Sequence, residues 1–188
     1  MLLLTDWPKS YQKVIIDEVD STMKEARRRQ ADLTQPTWIL AKNQTNAHGR
    51  RGRTWSNPNG NFSATLALKI KEDPTRLALR SFVTALALFD TLAYVTKAPK
   101  LLSLKWPNDV LMEDRKVAGI LLESFGSGKV IDFLFIGVGV NLVPLPDGIE
   151  PSFGSILQPV SLSDFDFKIN PEDFLVYLAA NFDYWEKQ

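Results

Sequence analysis

Four short segments of this sequence combine glycine with charged or amide side chains, which are residue types that bind small anionic ligands. They are residues 49–55 (GRRGRTW) just after His48, 105–109 (KWPND), 116–119 (KVAG) and 137–141 (GVGVN). Glycine lets the backbone approach a ligand closely, and a guanidinium makes paired hydrogen bonds to a phosphate or carboxylate. A lysine beside a glycine, as in 116–119, can place an ammonium next to such a ligand.

Each segment also has an ordinary structural interpretation. Residues 49–55 are equally typical of a solvated basic loop or an RNA-contacting arm. Residues 105–109 are compatible with a plain turn, 116–119 with a surface lysine and a bulge glycine, and 137–141 with a strand end. The last segment is not a dinucleotide fingerprint, because the third glycine and the following helix are missing.

Composition bounds the class of protein. The chain has 188 residues, 45% of them hydrophobic, and its 22 Lys+Arg balance 22 Asp+Glu. This length predicts one domain, and the zero net charge weakens a nucleic-acid or membrane-surface function. The absence of cysteine excludes disulfides, thiolate metal sites and thiol nucleophiles, and is compatible with a cytoplasmic location. We expect no signal peptide at residues 1–4 and no run that spans a bilayer.

The elements that position the four segments are predicted from hydrophobic periodicity. Strands are expected at 13–19, 37–42, 62–70, 102–106, 116–123 and 130–137, and helices from Thr22, over 74–97 and from Pro171 onward. Residues 43–61 show no hydrophobic period and are interpreted as a long functional loop. The mixed order predicts an α+β domain with a mixed, largely antiparallel sheet and packed helices.

Several details of these elements are specific enough to be checked. Thr22 and Glu25 have the spacing of a helix capping box, and Asn170 before Pro171 is typical of a helix start. The strand at 62–70 alternates and is expected to bury one face. The long helix is expected to bury Leu77, Phe82, Leu86, Phe89 and Ala93, and the last helix Phe174, Leu178, Phe182 and Trp185.

Taken in order, and with Asp20-Ser21-Thr22 ahead of them, the four segments resemble the biotin–protein ligase family over nearly the whole chain. The resemblance implies a biotin/lipoate ligase-like catalytic domain spanning residues 1–188, whose last helix is either truncated or complete. We expect neither the N-terminal DNA-binding domain that some members carry nor the small C-terminal β-barrel domain that usually follows in the family. The implied reaction is ATP-dependent activation of biotin to biotinyl-5'-AMP and transfer to a lysine of a biotin carboxyl carrier protein.

The resemblance also implies roles for individual residues. Biotin is expected to contact Ser21, Thr22, Gln44, His48, Arg50, Lys116, Gly119 and Gly137. ATP or the adenylate is expected to contact Arg50, Arg53, Trp55, Asn108, Asp109, Lys116 and Asn141. The catalytic residues are Lys116, Arg50 and Asp109, with Asp109 either binding Mg²⁺ or orienting the acceptor lysine. A homodimer is possible.

Three other functions compete with this one. A lipoate–protein ligase shares the fold and the adenylation logic, although the arginine run favours biotin. A non-catalytic remnant would bind biotin without forming an adenylate, and a nucleic-acid-binding domain would use the arginine loop. Related transferases with a cysteine nucleophile are excluded because the chain has no cysteine.

The sequence departs from the family pattern beside the expected ligand. Met23 stands where an asparagine usually follows Ser-Thr, and Ala47-His48 replaces the usual Gly-Arg. Alanine adopts positive φ less readily than glycine, and histidine clamps an anion more weakly than the permanently charged arginine.

We therefore predict that this chain retains its adenylate less tightly than Gly-Arg relatives do, while still forming it. Dialysis or rapid-quench sampling of pre-formed adenylate measures its lifetime. A half-life equal to that of a Gly-Arg relative would contradict the prediction.

Overall fold

A computed structural model describes residues 6–72, 74–127, 130–146 and 157–188. Its described part contains one mixed sheet with the strand order β1-β2-β3-β7-β6-β5-β4. β1 and β2 are parallel, and every other neighbouring pair is antiparallel. The strands are β1 Gln12–Val19, β2 Thr37–Gln44, β3 Phe62–Glu72, β4 Leu102–Lys105, β5 Asp109–Met112, β6 Arg115–Ser127 and β7 Val130–Val140. The predicted α+β class with a largely antiparallel sheet is confirmed.

Three α-helices are described with this sheet: α1 Thr22–Arg28, α2 Pro74–Thr96 and α3 Pro171–Glu186. The predicted start of α3 is confirmed, since the Asp173 backbone N–H donates to Asn170 Oδ1 at 2.8 Å and Pro171 opens the helix. The predicted capping box at α1 is wrong. Ser21 is the N-cap residue and makes no side-chain capping bond, while Thr22 is already helical.

The helices cover the two faces of the sheet unequally. α2 and α3 pack together across one face, where they enclose the large core that includes Trp38, Leu66, Leu88, Ile136 and Phe182. α1 crosses the other face with a smaller cluster that includes Met23, Ile39 and Phe135. The short α1 covers only part of its face, so the remainder is left for loops and a cleft.

Several expectations about burial and extent are wrong. Residues 62–68 of β3 are buried throughout, because the large core lies against one face of the strand and α1 packs against the other. Phe82 was expected in the core but is 48% exposed, since it lies beside the sheet edge formed by β4. The strand expected at 102–106 ends at Lys105, so Trp106 lies outside it and is 72% exposed. The tip expected at Asn108-Asp109 is a turn over 106–108, and Asp109 begins the additional strand β5.

The expectation that no apolar segment is long enough to span a bilayer is wrong for α2. Its segment Leu79–Thr96 is long and apolar enough to do so by length and composition. In the fold, however, Leu88 and Leu92 of this segment are fully buried against the sheet and α3. Arg80 anchors the helix through Glu72 at 2.6 Å and Glu186 at 2.9 Å. This is the packing of a core helix.

We predict that Leu88→Ala lowers the free energy of unfolding by about 2–5 kcal/mol, because it leaves a cavity in the core. Leu79→Ala makes the same substitution on the same helix at a position that is 60% exposed. It should change stability by about 0.5 kcal/mol or less. Denaturant unfolding of both variants measures the difference, and equal losses would contradict the described packing of α2.

Candidate active site

A cleft of about 900 Å³ opens on the sheet face that carries α1. Its floor is built from β3, β6 and β7, whose side chains on this face are small at most positions. The floor residues are Ser63, Thr65, Gly119, Leu121, Gly137 and Gly139. The arginine loop, which we define as residues 45–61, forms much of the opposite wall. The cleft exists because the strands present backbone where larger side chains would fill the space.

The end of the cleft next to α1 carries a network of uncharged polar groups. Gln44 Oε1 accepts hydrogen bonds from the Thr22 backbone N–H at 2.7 Å and from Thr22 Oγ1 at 3.2 Å. Thr65 Oγ1 donates to Thr22 Oγ1 at 2.9 Å. Because a backbone N–H can only donate, the Gln44 atom facing it must be the oxygen. The Gln44 amide nitrogen therefore remains available as a donor to a ligand.

Ser21 and Asp20 hold the start of α1 at this end. Ser21 is buried and lines the cleft, and its hydroxyl makes no capping bond. Asp20 accepts a hydrogen bond from Arg28 at 2.7 Å, which lowers the pKa of Asp20 to about 2. Asp20 is therefore ionised at any pH near neutrality and secures α1 through Arg28.

The other end of the cleft carries the charged groups. Lys116 Nζ lies 2.7 Å from Asp109 Oδ1, and both side chains are partly buried. Asp109 Oδ1 has no well-oriented hydrogen-bond donor among the described residues, so the contact with Lys116 is an ion pair only. The Lys116 backbone is held by the segment that precedes α3 in the chain, since its N–H donates to the Gln158 carbonyl at 2.8 Å.

Trp55 covers the glycines beside this ion pair. A Cβ built on Gly139 would lie 2.7 Å from the Trp55 ring, and one on Gly119 would lie 3.3 Å from it. Lys116 Nζ lies 5.5 Å from the centre of the same ring, within the range of a cation–π contact. The indole thus rests on bare backbone and orients the lysine.

The arginine loop reaches across the cleft to the β4–β5 turn. Arg50 Nη1 donates to Asn108 Oδ1 at 2.7 Å, and Arg53 lines the cleft. Positive φ occurs in this loop at Arg51 (φ 58°), Gly52 (φ 70°) and Gly60 (φ 97°). The expectation that Ala47 carries a backbone cost is therefore wrong, because Ala47 is not among the positive-φ residues of the described chain.

The structure brings together the residues that the sequence predicted for the site. Ser21, Thr22, Gln44, His48, Arg50, Arg53, Trp55, Asn108, Asp109, Lys116, Gly119, Gly137 and Asn141 all line the same cleft. Asn141 has a second task, because its amide nitrogen donates to the Val160 carbonyl at 3.0 Å and ties down the following segment. Its contact with a nucleotide stays a prediction.

Sequence reasoning missed two contributors to the site, Thr65 and Glu123, and it named Met23 only as a departure from the family pattern. Thr65 is a buried hydroxyl inside an apolar strand, and that polarity was the signal available. Met23 lies over Gly137, where its Cε would be 2.9 Å from an added Cβ. Glu123 lies 3.4 Å from His48, a contact between segments distant in sequence that no local pattern indicates.

No group of three or more His, Cys, Asp or Glu that could hold a metal occurs among the described residues. A metal at this cleft would therefore depend on ligand oxygens in addition to Asp109. Mg²⁺ commonly binds one or two carboxylates together with substrate phosphates. The buried Asp109 Oδ1, which lacks an oriented donor, fits such an arrangement.

The structure is thus a mixed sheet that carries one cleft with a neutral polar end and a cationic end. The chain belongs to the biotin/lipoate A/B protein ligase family, whose model matches residues 15–141.

Individual relatives extend the match along the chain. A biotin–[acetyl-CoA-carboxylase] ligase of Paracoccus denitrificans is 42% identical over 177 residues, which cover 93% of this chain and 72% of that protein. The biotin protein ligase of Leishmania major in complex with biotinyl-5-AMP superposes with a TM-score of 0.74 at 27% identity. That superposition covers 96% of this chain and 76% of the other. The Aquifex aeolicus ligase with biotin and ATP gives a TM-score of 0.75 at 26% identity over 94% of this chain and 70% of its own.

We predict that Gly139→Ala displaces the Trp55 indole, because the new methyl group cannot share its space with the ring. The Trp55 indole N–H resonance should shift in a ¹H–¹⁵N NMR spectrum. The matched control is Gly49→Ala, where an added Cβ would meet only the Arg53 carbonyl oxygen at 3.9 Å. An unchanged Trp55 resonance in Gly139→Ala would contradict the described contact.

Proposed function

We propose that this chain activates biotin with ATP to form biotinyl-5'-AMP and then transfers the biotinyl group to a lysine of a biotin carboxyl carrier domain. One observation carries the proposal: a single cleft joins an uncharged hydrogen-bonding end at Thr22 and Gln44 to a cationic end at Lys116 and Arg50. Biotin has a neutral ureido head, which suits the uncharged end, and a carboxylate tail, which suits the cationic end.

The ureido head is assigned to the uncharged end. A buried carbonyl and two N–H groups must find partners there or lose their hydrogen bonds with water. Ser21 and Thr22 offer hydroxyl groups, and the free amide nitrogen of Gln44 offers a donor. Gly137 and Gly119 would let the apolar ring and tail lie on bare backbone, with His48 and Arg50 above them.

The first half-reaction joins two anions, so its barrier is largely electrostatic. A biotin carboxylate oxygen attacks the α-phosphorus of ATP, the bond from that phosphorus to the bridging oxygen breaks, and pyrophosphate leaves. Lys116, Arg50 and Arg53 place cationic groups where negative charge accumulates. Trp55, Asn108 and Asn141 complete the nucleotide side. The protein supplies no covalent nucleophile, because positioning and charge stabilisation suffice for phosphoryl chemistry of this kind.

Asp109, which pairs with Lys116, is assigned one of two alternative roles. When the Lys116 ammonium turns toward a phosphate, Asp109 is left as a carboxylate at the cationic end of the cleft. It would then hold Mg²⁺, which neutralises phosphate charge when bound, or accept a hydrogen bond from the incoming lysine. In the second half-reaction that lysine amine attacks the acyl carbonyl, and AMP leaves as the acyl–phosphate bond breaks.

The proposal extends to the setting of the reaction. The acceptor lysine would be presented on an exposed turn of the carrier domain, since it must reach the cleft between the arginine loop and the β4–β5 turn. We propose a cytoplasmic location, in keeping with the absence of cysteine. The sheet edges β1 and β4 are candidate surfaces for a homodimer.

We predict that Lys116→Ala and Lys116→Met each slow biotinyl-adenylate formation by about 10²- to 10³-fold, the effect of removing one preorganised charge-stabilising donor. Lys116→Met keeps most of the side-chain volume, so it separates charge from packing. Single-turnover quench experiments with labelled ATP measure the rate, and circular dichroism checks folding.

The matched control is Lys100→Ala, which removes an exposed lysine that does not line the cleft. It should form the adenylate at the unaltered rate. A near-normal rate in both Lys116 variants would refute the assignment of Lys116.

A further inference from the structure

The hydrogen bonds at the uncharged end of the cleft join three elements of the fold. At the start of α1, the backbone nitrogen and Oγ1 of Thr22 lie 2.7 Å and 3.2 Å from Gln44 Oε1, which is at the end of β2. Thr65 Oγ1, in the middle of β3, lies 2.9 Å from Thr22 Oγ1. Thr65 is a fully buried residue of the cleft floor.

The direction of each of these bonds follows from the chemistry of its atoms. The Thr22 backbone N–H can only donate, and the amide oxygen of Gln44 can only accept. The Thr22 hydroxyl must therefore donate its single hydrogen to Gln44 Oε1. Because that hydrogen is used, the remaining bond must run from the Thr65 hydroxyl to the Thr22 oxygen.

This order fixes what Thr22 and Gln44 can offer to a ligand. Both lone pairs of Gln44 Oε1 are occupied by Thr22, so Gln44 offers only the hydrogens of its amide nitrogen. The Thr22 oxygen keeps one lone pair and has no free hydrogen, so it offers only an acceptor. A cyclic urea supplies the complement, since its N–H groups donate and its carbonyl accepts.

Thr65 is the better-placed partner of the Thr22 hydroxyl. O–H···O bonds are usually about 2.5–3.0 Å long, a range that includes the bond from Thr65 at 2.9 Å but not the bond to Gln44 at 3.2 Å. The residues paired with Thr65 across the sheet are Ile39 and Gly137, which have no polar side chain. The buried Thr65 hydroxyl is thus satisfied at Thr22, where it places the oxygen and occupies one of its lone pairs.

We propose that Thr65 is a positioning residue, which holds the Thr22 oxygen as an acceptor and thereby makes the cleft select a head group with an N–H donor. The identity of that head group, the ureido ring of biotin, rests on the proposed function. A head group with an oxygen at this point would set two lone pairs against each other. An apolar head group would leave the Thr22 acceptor buried and unpaired, which costs binding free energy.

Biotin is compared with its cyclic carbamate analogues, in which a ring oxygen replaces one of the two ureido N–H groups. The replacement removes a donor and adds an acceptor with little change of shape. Calorimetry without ATP measures binding, and the readout is the dissociation constant of the analogue divided by that of biotin. In wild type, the analogue whose oxygen meets Thr22 should bind about 10- to 100-fold more weakly, the effect of an unpaired buried polar group.

Thr65→Val removes the hydroxyl and keeps the shape of the side chain. The Thr22 hydroxyl is then able to turn its hydrogen toward the ring oxygen, so the ratio should fall about 2- to 10-fold, the value of one hydrogen bond. Thr65→Ser keeps the hydroxyl and should keep the wild-type ratio. The matched control is Thr84→Val, which removes an equally buried hydroxyl that donates to the Arg80 carbonyl on α2 and does not line the cleft. It should leave the ratio unaltered.

A double-mutant cycle separates this role from a purely structural one. If Thr65 acts through Thr22, Thr65→Val should not change the ratio in a Thr22→Val background, where no hydroxyl remains to be held. Thr65→Ala removes the same hydroxyl and is the second variant if Thr65→Val fails to fold, which circular dichroism checks. An unchanged ratio in the folded variant, or an equal fall in the Thr22→Val background, would overturn the proposal.

Failure of the role of Thr65 and failure of the proposed function give different results. If biotin binds with the expected ratios but supports no pyrophosphate exchange into ATP, the proposed catalysis fails and the role of Thr65 stands. If exchange occurs and the Thr65 variants keep the wild-type ratio, the role of Thr65 fails and the proposed function stands. Absence of biotin binding would overturn both.

Discussion

The site depends on three positions where the sheet has no side chain. Gly119, Gly137 and Gly139 lie on one face of β6 and β7, and each supports a side chain from elsewhere: Lys116, Met23 and Trp55 respectively. An added Cβ at Gly139 would lie 2.7 Å from the Trp55 ring, closer than carbon atoms approach. The glycines therefore make the cleft and also set where its lysine and tryptophan lie.

This arrangement holds Lys116, the proposed catalytic cation, in a contact that a ligand can replace. The Lys116–Asp109 pair is partly exposed, and such pairs are worth about 1 kcal/mol or less. A phosphate group carries more charge than a carboxylate, so it can displace Asp109 from the ammonium at small cost. The network at Thr22, Gln44 and Thr65 differs from this ion pair because its groups are uncharged and hydrogen-bond to one another. Only the groups that would face a neutral ligand are left without a partner in the network.

The features of this fold that could be predicted from the sequence are those with a cause in neighbouring residues. The β-branched run of β1 and the Asn170-Pro171 start of α3 have local causes, and both were predicted correctly. The site residues came from resemblance, and the fold then gathered them into one cleft. The burial of Phe62–Leu68 on both faces, the exposure of Phe82 and the pairing of His48 with Glu123 were not predictable. Each of these three features depends on which element, distant in sequence, packs beside the residue. The periodicity of the sequence does not indicate that element.

The most direct test of the account is biotin-dependent exchange of labelled pyrophosphate into ATP, in the presence of Mg²⁺, by this 188-residue chain. The exchange requires reversible attack of the biotin carboxylate on ATP, and it needs no carrier protein. We expect exchange in the presence of biotin and none when biotin is left out. No exchange in the presence of biotin would contradict it, and calorimetry would then show whether the uncharged end of the cleft still binds biotin.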